Sequence, residues 1–456
     1  MAPPPARDTI AAIATPPGRG GIGVVRVSGA DLERIVEGIV GKPLEARLAT
    51  RATFHDARGE PIDEGLALLF VAPASYTGET VLELHGHGSP AALASLLARC
   101  VELGARIAQP GEFTKRAYLD GKLDLAQAES VADLIEAATS TAARAAARSL
   151  SGVFSREVDA LVEVVTTLRM YVEATLDFPD EDIDFVRAAD AEGRLDAIRE
   201  QLAALLARAR TGVRLAQGLT VVLAGRPNVG KSSLMNRLVR DDAAIVTPVA
   251  GTTRDTVARQ IEIGGIPLEV VDTAGLRDTS DTVERLGIER TRSAIARADL
   301  VIVLVDARES LVDDVTDAAD VIARVPEGAA RVVVHNKADL ARERARVEHR
   351  DRTSHVWLSA LTGEGVDLLE REVLALAGAS SVGEDAFIAR ARHVSALRTA
   401  QNHLDAARGQ LRTALPALEL FAEELRYAQT SLSQITGEFT ADDLLGVIFS
   451  RFCIGK

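Results

Sequence analysis

The spacing of apolar positions changes character three times along the chain. From about Thr9 to Arg116, short apolar runs alternate with turns. Ile22–Val27 and Leu66–Phe70 read as strands. Pro90–Val101 reads as a helix, with Ser89 as N-cap and Pro90 at the first helical position. Leu123–Ala216 repeats apolar residues at helical spacing, for example Leu161, Val164, Val165, Leu168 and Tyr171. The acidic stretch Phe178–Phe185 contains Pro179 and predicts an interruption of the helices. From Leu219, strand-like runs (Thr220–Ala224, Leu268–Val271, Val301–Val305, Arg331–Val334, Val356–Leu358) alternate with helical segments. That alternation predicts βαβ units and a mainly parallel sheet. After Gly378 helical periodicity returns until Phe452, so the helical region reads as one domain interrupted by an inserted α/β domain. The fold class expected is multidomain, α/β plus all-α. Its boundaries are 1–120 for an N-terminal α/β domain, 121–216 for the first helical part, 217–378 for the inserted domain and 379–456 for the second helical part.

Composition narrows the functional classes. The 456 residues, 47% hydrophobic and 26% charged, are those of an ordinary globular protein. The longest apolar runs are strand-sized, such as Leu300–Val305, far short of a membrane span. Met1–Arg7 is Pro-rich and lacks the apolar core of a signal peptide. Two cysteines, Cys100 and Cys453, argue against a disulfide scaffold and fit a reducing cytoplasm. The formal net charge of −14 gives no support for an extended basic nucleic-acid surface.

The inserted region carries an ordered set of motifs. Gly225-Arg-Pro-Asn-Val-Gly230-Lys231-Ser232 has the P-loop pattern and follows an apolar strand. Its glycines let backbone N–H groups wrap phosphates, and the following helix adds its dipole. Lys231 is expected to reach the β- and γ-phosphates and Ser232 to ligate Mg²⁺. Asp272-Thr273-Ala274-Gly275 ends the next strand. Its Asp can hold the metal through water, and its Gly N–H can sense the γ-phosphate. In Asn336-Lys337-Ala338-Asp339 the Asp339 carboxylate can accept N1–H and the exocyclic amine of guanine, a donor pair adenine lacks. Ser359-Ala360 completes the base pocket. Thr253, in Gly251-Thr-Thr-Arg-Asp255, is placed as the switch threonine that completes the Mg²⁺ shell. Val229 and Ser233 flank the P-loop contacts. Four motifs in this order mark a GTP-hydrolysing domain.

Two usual catalytic parts are missing. Leu276 stands where Ras-like enzymes place a water-orienting Gln. Glu284 is the candidate replacement, with Asp281 and Glu289 as competitors. No arginine finger is identifiable. Asn228 offers a side-chain carbonyl beside the phosphates, where a monovalent cation can stand in for an arginine.

With these residues assembled, the chain resembles the bacterial tRNA-modification GTPase family MnmE, also called TrmE. The resemblance runs from Thr15-Pro-Pro-Gly-Arg-Gly-Gly-Ile-Gly-Val-Val-Arg26 through Thr77-Gly-Glu-Thr-Val-Leu-Glu83-Leu-His-Gly-His-Gly88, Pro110-Gly-Glu-Phe-Thr-Lys-Arg-Ala117, Lys122-Leu-Asp-Leu-Ala-Gln-Ala-Glu129 and Asp177-Phe-Pro-Asp180. It ends on Ile435-Thr-Gly-Glu-Phe-Thr-Ala-Asp-Asp-Leu-Leu-Gly446 and Cys453-Ile-Gly-Lys456. The resemblance implies that the N-terminal domain binds formyl- or methylene-tetrahydrofolate and forms the homodimer. Arg26, Glu83, Lys122 and Lys456 match positions of the folate site. It implies that Glu284 orients water, and that Asn228, Thr247, Thr252 and the Val249 carbonyl hold K⁺. Arg254, Asp255 and Arg277 lie at switch positions the family needs. It also implies an FAD-carrying partner, MnmG (GidA), in a heterotetramer or larger complex. Together the two would install aminomethyl or carboxymethylaminomethyl groups at carbon 5 of the wobble uridine of certain tRNAs, the folate supplying the one-carbon unit and glycine or ammonium the amine. Cys453, beside Lys456, is a candidate for the modification chemistry, a role that needs a lowered thiol pKa. The alternative class is a ribosome-assembly or translation GTPase acting as a timed binding module, which would normally bring a basic RNA-binding domain.

Overall fold

The computed structural model describes residues 8–177, 190–241, 258–272, 295–308, 325–326, 329–350, 352–376, 383, 385–412, 417–437, 448–450, 452 and 455. The chain forms two compact units. One comprises Met1–Ala132, Leu150–Met170 and Ala422–Lys456, the other Asp133–Ser149 and Tyr171–Phe421.

The first unit holds a six-stranded sheet of β1 (Ile10–Ile13), β2 (Gly20–Gly29), β3 (Thr50–His55), β4 (Pro61–Phe70), β5 (Thr80–Gly88) and β6 (Arg106–Ile107), in the order β3-β4-β5-β2-β1-β6. All pairs are antiparallel except β1 with β6. Side chains alternate across the sheet. Val25, Val27, Leu82 and Leu84 therefore face one way and pack with Ile35, Ile39, Leu93 and Leu96 of the helices Glu33–Val40 and Pro90–Glu102. Arg26 and Glu83, the intervening residues, take the other face as direct cross-strand neighbours. The helix Pro90–Glu102 starts where the sequence marks it, with Pro90 at its first turn and the Ser89 hydroxyl accepting from Ala92 N–H at 3.5 Å.

The long helix Val153–Asp177 corrects one reading. Its buried stripe is Phe154, Val158, Leu161, Val165, Leu168 and Val172, a strict four-three repeat. Val164 and Tyr171, expected in that stripe, are 38% and 40% exposed. Each lies next to the seam, and a stripe this narrow excludes its neighbours. Leu125, Ala128 and Ala132 cluster with Ile448, Phe449 and Phe452, which ties the described tail residues to the same unit.

The second unit contains a seven-stranded sheet of β7 (Leu219–Gly225), β8 (Ala258–Ile263), β9 (Ile266–Asp272), β10 (Leu300–Asp306), β11 (Ala330–Asn336), β12 (Arg346–Arg350) and β13 (Thr353–Trp357). The order is β12-β13-β11-β10-β7-β9-β8. The five central strands are parallel, while β8 and β12 run antiparallel at the edges. Every residue of β10 is buried, as expected of a strand covered on both faces. Leu215, Leu234, Leu238, Leu369, Val373 and Ile388 from helical and flanking segments cover one face. The central strands run in one direction, so their C-terminal ends share one rim, where open α/β sheets bind ligands.

Candidate guanine-nucleotide site

That rim collects the motif residues. β7 ends at Gly225, β9 at Asp272, β10 at Asp306 and β11 at Asn336, and Ser359 follows β13. After Gly225 the loop turns through left-handed conformations at Asn228 (φ 64°) and Gly230 (φ 100°) before the helix Lys231–Asp241 begins. Gly230 is forced twice over. Its φ disfavours any side chain, and a Cβ there would collide with the Asn336 amide. Lys231 is only 6% exposed, and its ammonium lies back along the loop, donating to the Gly225 and Arg226 carbonyls at 2.8 Å each. Ser232 and Ser233 occupy the first turn of that helix.

Asn336 ties the base loops to the phosphate loop. It is 3% exposed. Its Nδ2 donates to the Val229 carbonyl at 2.7 Å, and its Oδ1 accepts Ala360 N–H at 2.9 Å. A buried amide with both ends satisfied holds three segments in one arrangement. Lys337, at φ 65°, donates from Nζ to the Asn228 carbonyl at 2.8 Å. Asp339 is half-buried, and no hydrogen bond reaches its carboxylate among the described residues. The buried Ser359 hydroxyl accepts Thr362 N–H at 3.2 Å, which shapes the loop that carries Ala360.

Asp306 was not read from the sequence. It is 4% exposed, lies opposite Asn336 in the ladder and pairs with Lys337 at 2.7 Å and Arg308 at 2.7 Å. The Arg308 guanidinium, despite burial and with help from Lys337, holds this carboxyl well below the usual carboxylate range. The available signal was an acid closing a wholly apolar strand, which needs partners once buried. Asp272 closes β9, with only its backbone described. Thr247, Val249, Thr252, Thr253, Arg254, Asp255, Thr273, Ala274, Gly275, Leu276, Arg277, Asp281, Glu284 and Glu289 lie outside the described residues, as do Cys453 and Lys456.

In the first unit, the sheet brings Arg26 and Glu83 together at 2.8 Å. Glu83 also meets His85 at 3.1 Å, and the Arg26 guanidinium lies over the Tyr76 and Phe113 rings at 5.4 and 5.8 Å. The pair is about one-fifth exposed, so it offers planar polar edges beside aromatic walls. Lys122 is exposed in the turn after the helix Glu112–Leu119 and shares no hydrogen bond or ion pair with them.

A family model described as the MnmE helical domain matches residues 125–453, and one described as the GTP-binding protein TrmE N-terminus matches residues 9–122. The tRNA modification GTPase MnmE of Dechloromonas aromatica (strain RCB) is 56% identical over 449 residues, covering 98% of this chain and 99% of that protein. That of Azoarcus sp. (strain BH72) is 59% identical over 452 residues, covering 98% of each. Among solved structures, the G domain of the T. maritima FeoB iron transporter covers 35% of this chain and 98% of its own, at 23% identity and a TM-score of 0.26, too little to carry weight here. Identity of this order is sustained from end to end, on a chain whose sheet rim gathers guanine-nucleotide motifs, and so the chain belongs to the MnmE family of tRNA modification GTPases.

Proposed function

We propose that this GTPase is activated by potassium and acts with an FAD-dependent MnmG-type partner on the wobble uridine of certain tRNAs. The products would be aminomethyl and carboxymethylaminomethyl groups at carbon 5. The observation that carries the nucleotide half is the Asn336 staple, which fixes the P-loop and the base loops as one receptor beside Asp339. Asp339 would read guanine, Lys231 would meet the β- and γ-phosphates, and Ser232 with Thr253 would hold Mg²⁺. Asn228, Thr247, Thr252 and the Val249 carbonyl would hold K⁺, which supplies the positive charge an arginine finger otherwise brings. The left-handed backbone of Asn228, with its carbonyl engaged by Lys337, supports this reading, since it constrains that residue beside the phosphate loop. Glu284 would orient the attacking water.

The folate half rests on the Arg26–Glu83 pair. Its carboxylate can take the N–H edge of a pterin, and its aromatic walls suit a flat ring. Lys122 and Lys456 would meet the glutamate carboxylates. Bound tetrahydrofolate supplies the one-carbon unit, and the partner's FAD supplies redox chemistry. Cys453 would take part in the modification step. We place the protein in the cytoplasm, as a homodimer within a heterotetramer or larger complex with its partner. Among the described residues no helix is long and apolar enough to cross a membrane. Mass analysis of wobble uridine in tRNA from a deletion strain tests the reading. Loss of the carbon-5 groups, restored by the intact gene, is expected, and unchanged nucleosides would remove it.

A further inference from the structure

Lys337 is held from two sides. Its ammonium donates to the Asn228 carbonyl of the P-loop at 2.8 Å and to Asp306 Oδ2 at 2.7 Å. Asp306 is itself clamped. Arg308 donates from Nε to Oδ1 at 3.0 Å and from Nη2 to Oδ2 at 2.7 Å, and its backbone N–H reaches Oδ1 at 3.1 Å. A 4%-exposed carboxylate with this many charged donors is fixed in position. Lysine, by contrast, is a flexible stem with a point charge at its end. Lys337 occupies left-handed backbone, which a long side chain enters only when the surroundings hold it there, and the left-handed Asn228, a residue type that takes this conformation readily, turns the P-loop carbonyl that Lys337 meets. The lysine–carbonyl contact therefore needs a third, rigid group, and Asp306 is that group.

We propose that Asp306 is a positioning residue for nucleotide retention. It holds Lys337 against the Asn228 carbonyl, and Lys337 in turn keeps the P-loop in its phosphate-binding shape. The proposal rests on reading the P-loop and Asn336 cluster as the guanine-nucleotide site. The rate of GDP release then depends on a residue outside every nucleotide motif, acting through Lys337.

The test is release of the fluorescent analogue mant-GDP from the full-length protein, chased with excess GDP. The variants are wild type, Asp306→Asn, Lys337→Met and the double variant. Asp306→Asn keeps the shape and removes the charge. It should speed release about tenfold, the usual weight of one charge-assisted hydrogen bond. In the Lys337→Met background the same change should add less than about twofold, because its only route has gone. Arg308→Met should speed release by a smaller factor, about threefold, and again add nothing once Lys337 is Met; this arm stands if Asp306→Asn folds poorly. Wild-type release from Asp306→Asn, or a full tenfold added on top of Lys337→Met, would overturn the proposal while leaving the nucleotide site in place. Unchanged release from Lys337→Met would remove the site reading, and the proposal with it.

Discussion

At the scale of single residues, the site depends on close approach as much as on chemistry. Gly230 passes beside the Asn336 amide where a methyl group has no room, so phosphate loop and base loop share one wall. In the proposed site Asp339 would decide which base enters. Replacing Asp339 with Asn should weaken GTP and favour xanthine nucleotides, because an amide N–H complements the carbonyl that replaces guanine's amine. Competition titrations with GTP and XTP measure it, and an Asn variant still preferring GTP would show that Asp339 does not face the base. The motif residues were legible because their chemistry is written in fixed spacing. Asp306 was not, since its partners Lys337 and Arg308 come from one distant and one near position that only the β10–β11 register unites. The Arg26–Glu83 contact was similarly hidden, as its 57-residue separation closes only when β2 pairs with β5.

At the scale of elements, periodicity located the five parallel strands of the seven-stranded sheet and the long helices but missed that sheet's edges, and in the six-stranded sheet it missed even the central β5. β8 and β12 carry Arg259, Gln260, Glu262, Arg346, Glu348 and Arg350, so neither shows the apolar run that marked the buried strands. Half-solvated edge strands read as loops when the pattern alone is followed. Helix Val153–Asp177 offers a cleaner contrast. Leu168→Ala removes a side chain 1% exposed and should cost about 2–5 kcal/mol. Val164→Ala, at 38% exposure, should cost less than about 1 kcal/mol. Denaturant unfolding of the two variants checks this, and equal losses would place Val164 inside the seam.

A second element-level consequence concerns pH. His335, the penultimate residue of β11, precedes Asn336, bonds His355 at 3.0 Å and stacks on Trp357 at 4.2 Å. Burial first, then the positive charges of His355, Arg350 and Arg346, against the weaker pull of Glu348, press its pKa down to about 4. The folded state therefore resists a proton that the unfolded chain accepts near pH 6.5. Stability from this group is complete above pH 6.5 and is lost as pH falls towards 4, by at most about 3 kcal/mol. Trp357 is the chain's one tryptophan, so its fluorescence reports unfolding of this sheet. Denaturation midpoints should drop between pH 7 and pH 5, and His335→Gln should flatten that slope. A slope unchanged in the variant would assign the effect to other groups.

At the scale of the molecule, the seven-stranded nucleotide sheet and the six-stranded sheet occupy separate compact units of one chain. Helical periodicity flanks the nucleotide sheet on both sides in the sequence, and β7 follows the helix Ala191–Gln217 after one residue. What lies between GTP turnover and tRNA chemistry was least legible, because spacing records local motifs and leaves no trace of how units communicate. The proposed potassium activation is nevertheless a property of the nucleotide unit: a cation would take the place of the missing arginine, with Asn228 among its ligands. GTP turnover in potassium against sodium at equal ionic strength, for wild type and Asn228→Ala, measures it directly. Hydrolysis should be faster in potassium by roughly 10³-fold, the lower end of what an arginine finger contributes, and Asn228→Ala should fall to the sodium rate in both salts. Equal wild-type rates in the two salts would contradict it.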